Sequence, residues 1–268
     1  MNEDSSGEFV SKARRIASAA AAGRFSLLFW LLVAAIAAPV VIPSGPIIRL
    51  VIAGALFFVM LAGLRAISNQ RGELIAGVIL SVPAFVLNAL GIGLNVKVAY
   101  IVSLFLYMLF FGYLAFLILL HTLKQHDVDA ETIYAAVNVY LLFGLFWAMA
   151  YYAIALMSPG SFHFPESDPL GRIQAERIAD YDPGDLEAAA YANWQEAHQA
   201  ASGTLMYYSF VTLTTLGYGD IYPVNDTARI VAMLEAMLGQ LYLVILVARL
   251  VGLYTSQEQE RRRKATPT

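Results

Sequence analysis

The chain contains no cysteine among its 268 residues. This absence excludes disulfide bonds, thiolate metal sites and cysteine nucleophiles. The four histidines are scattered along the chain, and none belongs to a HxxxH or HExxH pair of the kind that binds a catalytic metal. Because paired acids and a GxSxG motif are missing as well, we expect that the protein is not an enzyme and uses no cofactor.

The chain also contains few charged residues. Asp, Glu, Lys and Arg make up 14% of the chain, whereas they make up about a quarter of an average soluble domain. The net charge of −3 is too small to suggest a nucleic acid partner. Hydrophobic residues make up 59% of the chain and lie in long runs. This distribution predicts an all-α membrane protein with several spans.

Six apolar runs are each long enough to cross a bilayer, which requires about twenty residues. Pro39 and Pro43 are expected to end the first run, and Pro83 is expected to kink the third. A polar linker at about 121–131 separates the fourth run from the fifth. The predicted spans are about 25–43, 46–67, 74–93, 97–121, 132–157 and 226–254.

The segment between the fifth and sixth runs, residues 158–202, has a different composition. It contains four prolines, and eight acidic residues against two arginines. Asp182 and Pro183 are typical of a helix start and predict a surface helix over about 184–200. A separate short helix is predicted from Gly203 to Thr214.

Basic residues indicate the topology. Six spans place both termini on one side of the membrane, and the positive-inside rule makes that side cytoplasmic. The tails at 1–24 and 257–268 are then inside, while the loop at 158–202 is outside. We therefore expect a multi-pass protein of a bacterial-type inner membrane. The basic residues on the expected cytoplasmic side are Lys12, Arg14, Arg15, Arg24, Arg65, Arg71, Lys124, Arg261, Arg262, Arg263 and Lys264.

A short uncharged motif precedes the last span. It reads Thr214-Thr215-Leu216-Gly217-Tyr218-Gly219-Asp220, so two glycines flank a tyrosine. A bare cation crosses a bilayer only where other oxygens replace its hydration water, and a row of inward backbone carbonyls does this. Glycine permits such a row because it accepts left-handed backbone angles.

This motif resembles the selectivity filter of tetrameric P-loop potassium channels, whose loops read TVGYG. The resemblance is specific over about 130–256 and only positional over 1–129. It implies six transmembrane helices, a re-entrant pore helix and a filter at 214–220. It also implies K⁺ sites formed by Thr215, Leu216, Gly217 and Tyr218, with Gly219 completing the filter. Since one loop cannot encircle an ion, the expected partners are three further copies of the chain and membrane lipids.

Residues beside the filter are expected to support it. In the family the acid after the filter bonds to an aromatic residue of the pore helix, so Asp220 is expected to pair with Tyr207 or Tyr208. The alternative is that Asp220 simply faces water. Thr214 is expected to support the inner end of the filter.

Two residues of the sixth span have two interpretations each. Glu235, a charge in an apolar run, either bonds to the back of the pore helix near Thr212 or Ser209, or faces the cavity as an ion-attracting ring. Gly239 matches the family's hinge position and is expected to be a gating hinge. Its alternative role is close helix packing, which is common in membranes.

The first four spans lack the chemistry of a voltage sensor. No Lys or Arg occurs in 98–120, so an electric field has little charge to move there. We expect a four-helix domain at 25–124, similar in layout to a voltage sensor but without gating charges, and a pore domain at 125–256. The basic residues at 261–264 are expected either to contact anionic lipid headgroups or to act as a solvated stop-transfer signal.

These features predict a potassium-selective channel that is not steeply voltage-gated. Leu216, in place of the commoner valine, leaves room for a weakly selective cation channel of the same fold. A third possibility is a non-conducting membrane sensor that binds a lipid or a partner protein. The intact TLGYGD motif argues against this third possibility.

Overall fold

The computed structural model describes residues 23–41, 46–67, 71–93, 96–125, 129–158, 160–165, 171 and 194–265. This part of the chain is helical apart from one short antiparallel strand pair. The helices are α1 (Arg24–Val41), α2 (Pro46–Ile67), α3 (Arg71–Gly93), α4 (Lys97–Lys124), α5 (Ala130–Met157), α6 (Trp194–Leu213) and α7 (Asp226–Ala265). The strands are β1 (Phe162–His163) and β2 (Tyr222–Pro223).

Four stretches of the described helices are long and apolar enough to cross a membrane. They are Gly72–Gly91 in α3, Val98–Lys124 in α4, Ala130–Met157 in α5 and Asp226–Gln259 in α7. Shorter apolar stretches, Arg24–Ala38 and Gly54–Ala66, lie in α1 and α2. The protein is therefore a multi-pass membrane protein, and the count of six spans stays a prediction.

Helix α5 lies at the centre of the packing. Helices α1 and α4 both pack against it, α2 packs against α1, and α3 packs against α4. The buried core contains Leu32 of α1, Leu114 of α4 and Leu142 of α5. The core is thus continuous across the predicted boundary between 124 and 125, and the predicted division into two domains stays a prediction.

Two acidic residues fix the beginning of α5. Asp129 caps the helix, because its Oδ1 accepts hydrogen bonds from the Thr132 backbone N–H at 2.8 Å and the Thr132 hydroxyl at 2.6 Å. The Thr132 hydroxyl and N–H lower the pKa of the Asp129 carboxyl. This cap therefore stabilises the fold above the carboxyl's ordinary pKa, and its contribution is lost as pH falls through the lowered value.

Glu131 links α5 to the start of α1. Its two carboxylate oxygens accept hydrogen bonds from the backbone N–H groups of Gly23 and Phe25, each at 3.0 Å. The first N–H groups of a helix have no partner within that helix. The first turn of α5 thus satisfies the first turn of α1 and joins the predicted four-helix domain to the predicted pore domain.

Arg249 of α7 makes the equivalent link at the end of α4. Its guanidinium donates to the carbonyls of Thr122, of Leu123 at 2.8 Å and of Gln125 at 2.9 Å. The last carbonyls of a helix lack partners and carry partial negative charge, so a cation is favourable there. The second half of α7 is therefore bound to the end of α4.

The first and fourth helices differ from their predicted bounds. Helix α1 includes Pro39 and ends at Val41, because a proline this near the end of a helix removes only one hydrogen bond. Helix α4 continues through Lys124, so the linker predicted at 121–131 is reduced to 125–129. Pro83 lies inside α3, and its kink stays a prediction.

The second half of the chain differs as well. The predicted break between 184–200 and Gly203–Thr214 is wrong, because α6 is one helix from Trp194 to Leu213. No residue between these two segments ends a helix, since a single internal glycine such as Gly203 destabilises a helix by only about 1 kcal/mol. Helix α7 continues past 254 through the basic tail to Ala265, with an (i, i+4) pair of Glu258 and Arg262 at 3.2 Å.

Several predictions lie outside the described residues. These are the tail at 1–22, the end of the first predicted span with Pro43, and the helix start at Asp182 and Pro183. Most of the predicted outer loop and the last three residues of the chain lie outside them too.

Candidate functional site

The filter segment, residues 214–220, joins α6 to the strand that precedes α7. Its backbone alternates: Thr215, Gly217 and Gly219 have φ values of 58°, 57° and 78°, while Leu216 and Tyr218 are not left-handed. Alternation of left-handed with right-handed or extended residues turns successive peptide groups in a common direction. The segment therefore has a backbone that can present a row of carbonyls.

Thr215 was expected to contribute oxygens, but its left-handed backbone was not predicted. It is the one non-glycine residue with positive φ in the described part of the chain. A β-branched residue in this region is strained. Such strain persists where the surrounding structure imposes it, and it is commonest at functional sites.

The inner end of the filter segment is folded onto the end of α6. Thr215 N–H donates to Thr212 O at 2.9 Å, and Leu216 N–H donates to Val211 O at 2.9 Å. The Thr214 hydroxyl donates to Phe210 O at 2.7 Å. The last carbonyls of α6 thus receive partners from the filter segment, which fixes the inner end of that segment.

Tyr140 of α5 completes this arrangement. Its hydroxyl donates to Leu213 O, the last carbonyl of α6, at 3.1 Å. This bond is not predictable from the sequence, because it joins residues 73 positions apart and depends on how α5 packs against α6.

The outer end of the filter segment is joined to α6 by a side-chain bond. The Tyr207 hydroxyl donates to the Asp220 carboxylate at 2.9 Å. Tyr208, the other predicted candidate, points away from the filter and is buried, with its ring centroid 4.9 Å from that of Tyr151 and 5.5 Å from that of Phe162. The structure therefore selects Tyr207 as the partner of Asp220.

Glu235 lies behind α6, as in the first of its two interpretations. Its side chain is fully buried. One carboxylate oxygen accepts from the Ser209 hydroxyl at 2.5 Å, and the other accepts from the Tyr151 hydroxyl. The Ser209 hydroxyl also lies 2.8 Å from Gly144 O. One carboxylate on α7 thus connects α5, α6 and α7 directly behind the filter segment.

Replacing Glu235 with glutamine is expected to leave the protein assembled but to change its open probability. Glutamine keeps one carbonyl oxygen, so one of the two hydroxyl bonds to residue 235 is lost, although the Ser209 hydroxyl then has Gly144 O as an acceptor. Loss of one hydrogen bond costs about 0.5–1.5 kcal/mol, which is a change of about twofold to tenfold in an equilibrium. Single-channel recording measures it, with Ser209→Ala and Tyr151→Phe separating the two bonds. Gating equal to wild type in all three variants would contradict the supporting role.

Gly239 lies where α7 crosses the end of α6. A Cβ at this position would be 2.7 Å from the Leu213 carbonyl oxygen and 2.7 Å from Leu213 Cδ1. Atoms do not approach so closely, so any larger residue here requires α7 or α6 to shift. Close packing, the second interpretation of Gly239, is therefore present in the structure, and its function as a hinge stays a prediction.

The filter segment is exposed within a single chain. Leu216 is 54% exposed and Tyr218 is 68% exposed. Large exposed apolar side chains beside each other are typical of an interaction surface. Among the described residues, no group of three or more histidines and acids is placed to bind a metal ion.

Comparison with known proteins agrees with this geometry. A family model described as "Ion channel" matches residues 187–256, which include α6, the filter segment and most of α7. "Two pore potassium channel a" of Oryza sativa subsp. japonica is 34% identical over 55 residues. That match covers 20% of this chain and 16% of the rice protein, so the chain aligns with only a small part of its relative.

The helices and these similarities point to the same class of protein. Three of the described helices that are apolar and long enough to cross a membrane precede the matched region, and a fourth lies mostly within it. Both of these similarities are to channels. The chain is thus a multi-pass membrane protein whose carboxyl-terminal part is similar to an ion channel family.

Proposed function

We propose that four copies of this chain form a potassium-selective channel. The observation that carries the proposal is the left-handed alternation at Thr215, Gly217 and Gly219 in a TLGYG loop between α6 and the apolar helix α7. Carbonyl oxygens of Thr215, Leu216, Gly217 and Tyr218, with the Thr215 hydroxyl, replace the hydration shell of K⁺.

The fourfold assembly is supported by the exposed surface of α7. One loop supplies one side of an ion site, so four loops are required around a central axis. Helix α7 exposes large apolar side chains along most of its length. They include Ile230, Met233, Leu234, Met237, Leu238, Leu241, Val244, Ile245, Val247, Val251 and Tyr254. In the proposed tetramer these side chains face neighbouring copies, the cavity or lipid.

Residues around the filter position it in this proposal. Asp220 and Tyr207 fix its outer end, and Thr214 fixes its inner end. Glu235 stabilises the back of α6. The carboxyl end of α6 carries partial negative charge next to the filter, and this charge favours a cation.

The first four helices give no steep voltage dependence in this proposal. Residues 98–120 contain no Lys or Arg, so moving α4 transfers almost no charge across the membrane. Both termini lie in the cytoplasm, and the residues at 158–202 lie outside with the filter.

The reversal potential tests the proposal directly. Purified protein is placed in planar bilayers with potassium on one side and sodium on the other. We expect current that reverses close to the potassium equilibrium potential. Robust current reversing near zero would replace the proposal with a weakly selective cation channel. Absence of current from intact protein at all voltages would favour a non-conducting sensor.

A further inference from the structure

The loop after α5 is bound to the segment that follows the filter. Strand β1 pairs with β2, so Phe162 faces Pro223 and His163 faces Tyr222. The rings of His163 and Tyr222 stack with their centroids 4.6 Å apart. Since β2 begins two residues after Asp220, this pairing lies directly beside the outer end of the filter segment.

Ser161 is only 1% exposed and makes four hydrogen bonds at this junction, one of them from its N–H to Ser158 O at 3.2 Å. Its carbonyl accepts from Val224 N–H at 2.8 Å. Its hydroxyl donates to Ser158 O at 2.5 Å and accepts from the Asn225 amide at 2.7 Å. The end of α5 is thus joined through one buried serine to the residues between β2 and α7.

The side chain of Asn225 makes two hydrogen bonds, one through its oxygen and one through its nitrogen. Its Oδ1 accepts from Ala228 N–H at 2.8 Å and so caps α7. Its Nδ2 donates to the Ser161 hydroxyl. An N-cap needs only the oxygen, so the amide nitrogen is free to make a contact that capping alone does not require. We call the Ser161–Asn225 side-chain bond the outer clamp.

We propose that Ser161 and Asn225 are positioning residues that determine how long the filter keeps its conducting geometry. This inference rests on the proposed potassium channel function. The filter's other side-chain connection at this end, between Asp220 and Tyr207, involves a tyrosine that is 40% exposed within the chain. Water competes for exposed hydrogen bonds, whereas the outer clamp is partly buried and its serine is 1% exposed.

A looser outer end lets the peptide groups of the filter rotate out of line. Because ions in the filter bind only the conducting geometry, a high potassium concentration stabilises that geometry by mass action. Loss of the outer clamp is therefore expected to make the current decline faster after opening. The same decline is expected to slow when external potassium is raised.

The variants separate the outer clamp from the cap of α7. Ser161→Ala removes the clamp and leaves Asn225 as the cap. Asn225→Ser also leaves a good N-cap residue but is too short to reach Ser161. Asn225→Asp keeps an acceptor for Ala228 N–H but replaces the amide donor by a second acceptor, so it also breaks the clamp, because the one hydrogen of the Ser161 hydroxyl is already donated to Ser158 O. Ser26→Ala is the matched control, because it also removes a hydrogen bond made by a serine hydroxyl. That bond runs to Gly23 O at 3.2 Å, at the start of α1.

Currents are recorded from purified protein in planar bilayers at low and high external potassium. We expect the current of Ser161→Ala and Asn225→Ser to decline about fivefold faster than wild type, from the loss of one buried hydrogen bond. Raising potassium is expected to reduce that difference. Asn225→Asp is expected to decline as fast as these two variants, whereas Ser26→Ala is expected to decline at the wild-type rate.

The other possible outcomes each contradict either the role of the outer clamp or the proposed channel function. If wild type conducts potassium selectively but all three clamp-breaking variants decline at its rate, the outer clamp has no positioning role. The same conclusion follows if potassium has no effect on their decline. If intact wild-type protein shows no potassium-selective current, the proposed function fails, and the outer clamp inference fails with it. Since the variants break the clamp from opposite sides, misfolding of one leaves the others as the test.

Discussion

Gly217→Ala is expected to abolish potassium-selective current while the helices remain folded. Gly217 has φ of 57°, and a Cβ there would have no atom within 4 Å in its own chain. The effect therefore arises from the backbone. An L-residue in left-handed geometry costs about 1–2 kcal/mol, and a tetramer carries that cost four times, about 4–8 kcal/mol. Thr215 already places one strained L-residue in each filter.

A matched glycine outside the filter separates this effect from a general loss of stability. Gly23, with φ of 108°, lies before α1, and a Cβ there would be 3.7 Å from Ser26 Oγ. Gly23→Ala is expected to have at least as large a backbone cost, because φ of 108° lies outside the left-handed region that L-residues adopt, but to conduct as wild type does. The measurement is the reversal potential and current amplitude of both variants. Selective current of wild-type size through Gly217→Ala would contradict the filter geometry.

Gly239→Ala is expected to reduce current at least tenfold and to lower thermal stability. The new Cβ would lie 2.7 Å from the Leu213 carbonyl oxygen, a backbone atom one residue before the filter segment. Inserting a methyl group into a closely packed contact costs about 1–3 kcal/mol. The required shift also disturbs the Tyr140 bond to Leu213 O. The thermal transition of the purified protein and its macroscopic current measure the two effects.

Gly252 in the same helix is the control. A Cβ there would have no atom within 4 Å in its own chain. Gly252→Ala is expected to keep full current and to gain stability, since alanine favours a helix by about 1 kcal/mol over glycine. A hinge at Gly239 would change open probability with an unaltered thermal transition, whereas close packing changes both. Identical behaviour of the two alanine variants would exclude close packing as the reason for Gly239.

Local chemistry made part of the site predictable. The two glycines at 217 and 219 indicated a left-handed backbone at those positions. Asp220 needed a hydrogen-bond donor on the preceding helix, and the Tyr207 hydroxyl is that donor. Glu235 was recognisable because a lone carboxylate in an apolar run needs hydrogen-bond donors. Thr212 and Ser209 are the two predicted partners of Glu235, and the structure shows the hydrogen bond to Ser209.

Contacts between distant helices were not predictable from the sequence. The bonds of Tyr151 to Glu235 and of Tyr140 to Leu213 depend on the rotation of α5 about its axis, which periodicity does not give in helices that are apolar on all sides. Arg249 did leave a signal, as a single arginine within an apolar run, but its carbonyl partners lie more than 120 residues earlier.

Helix ends were predicted least well. The change from polar to apolar residues near Gly203 predicts a boundary there between a surface helix and a pore helix. Composition alone does not end a helix when no proline or cap is present, and α6 continues through it. The same reason explains the continuation of α7 into its basic tail, where Gln, Glu, Arg and Lys are all good helix formers.

The exposed faces of the filter segment and α7 have a consequence for handling the protein. In the proposed assembly, much of the apolar surface of these elements becomes buried only when copies meet, so the stability of each chain depends on protomer concentration. Dilution in detergent then favours dissociation before any helix unfolds. Reconstitution at a high ratio of protein to lipid favours association, and bound potassium adds to it because the ion binds only the complete ring of four loops.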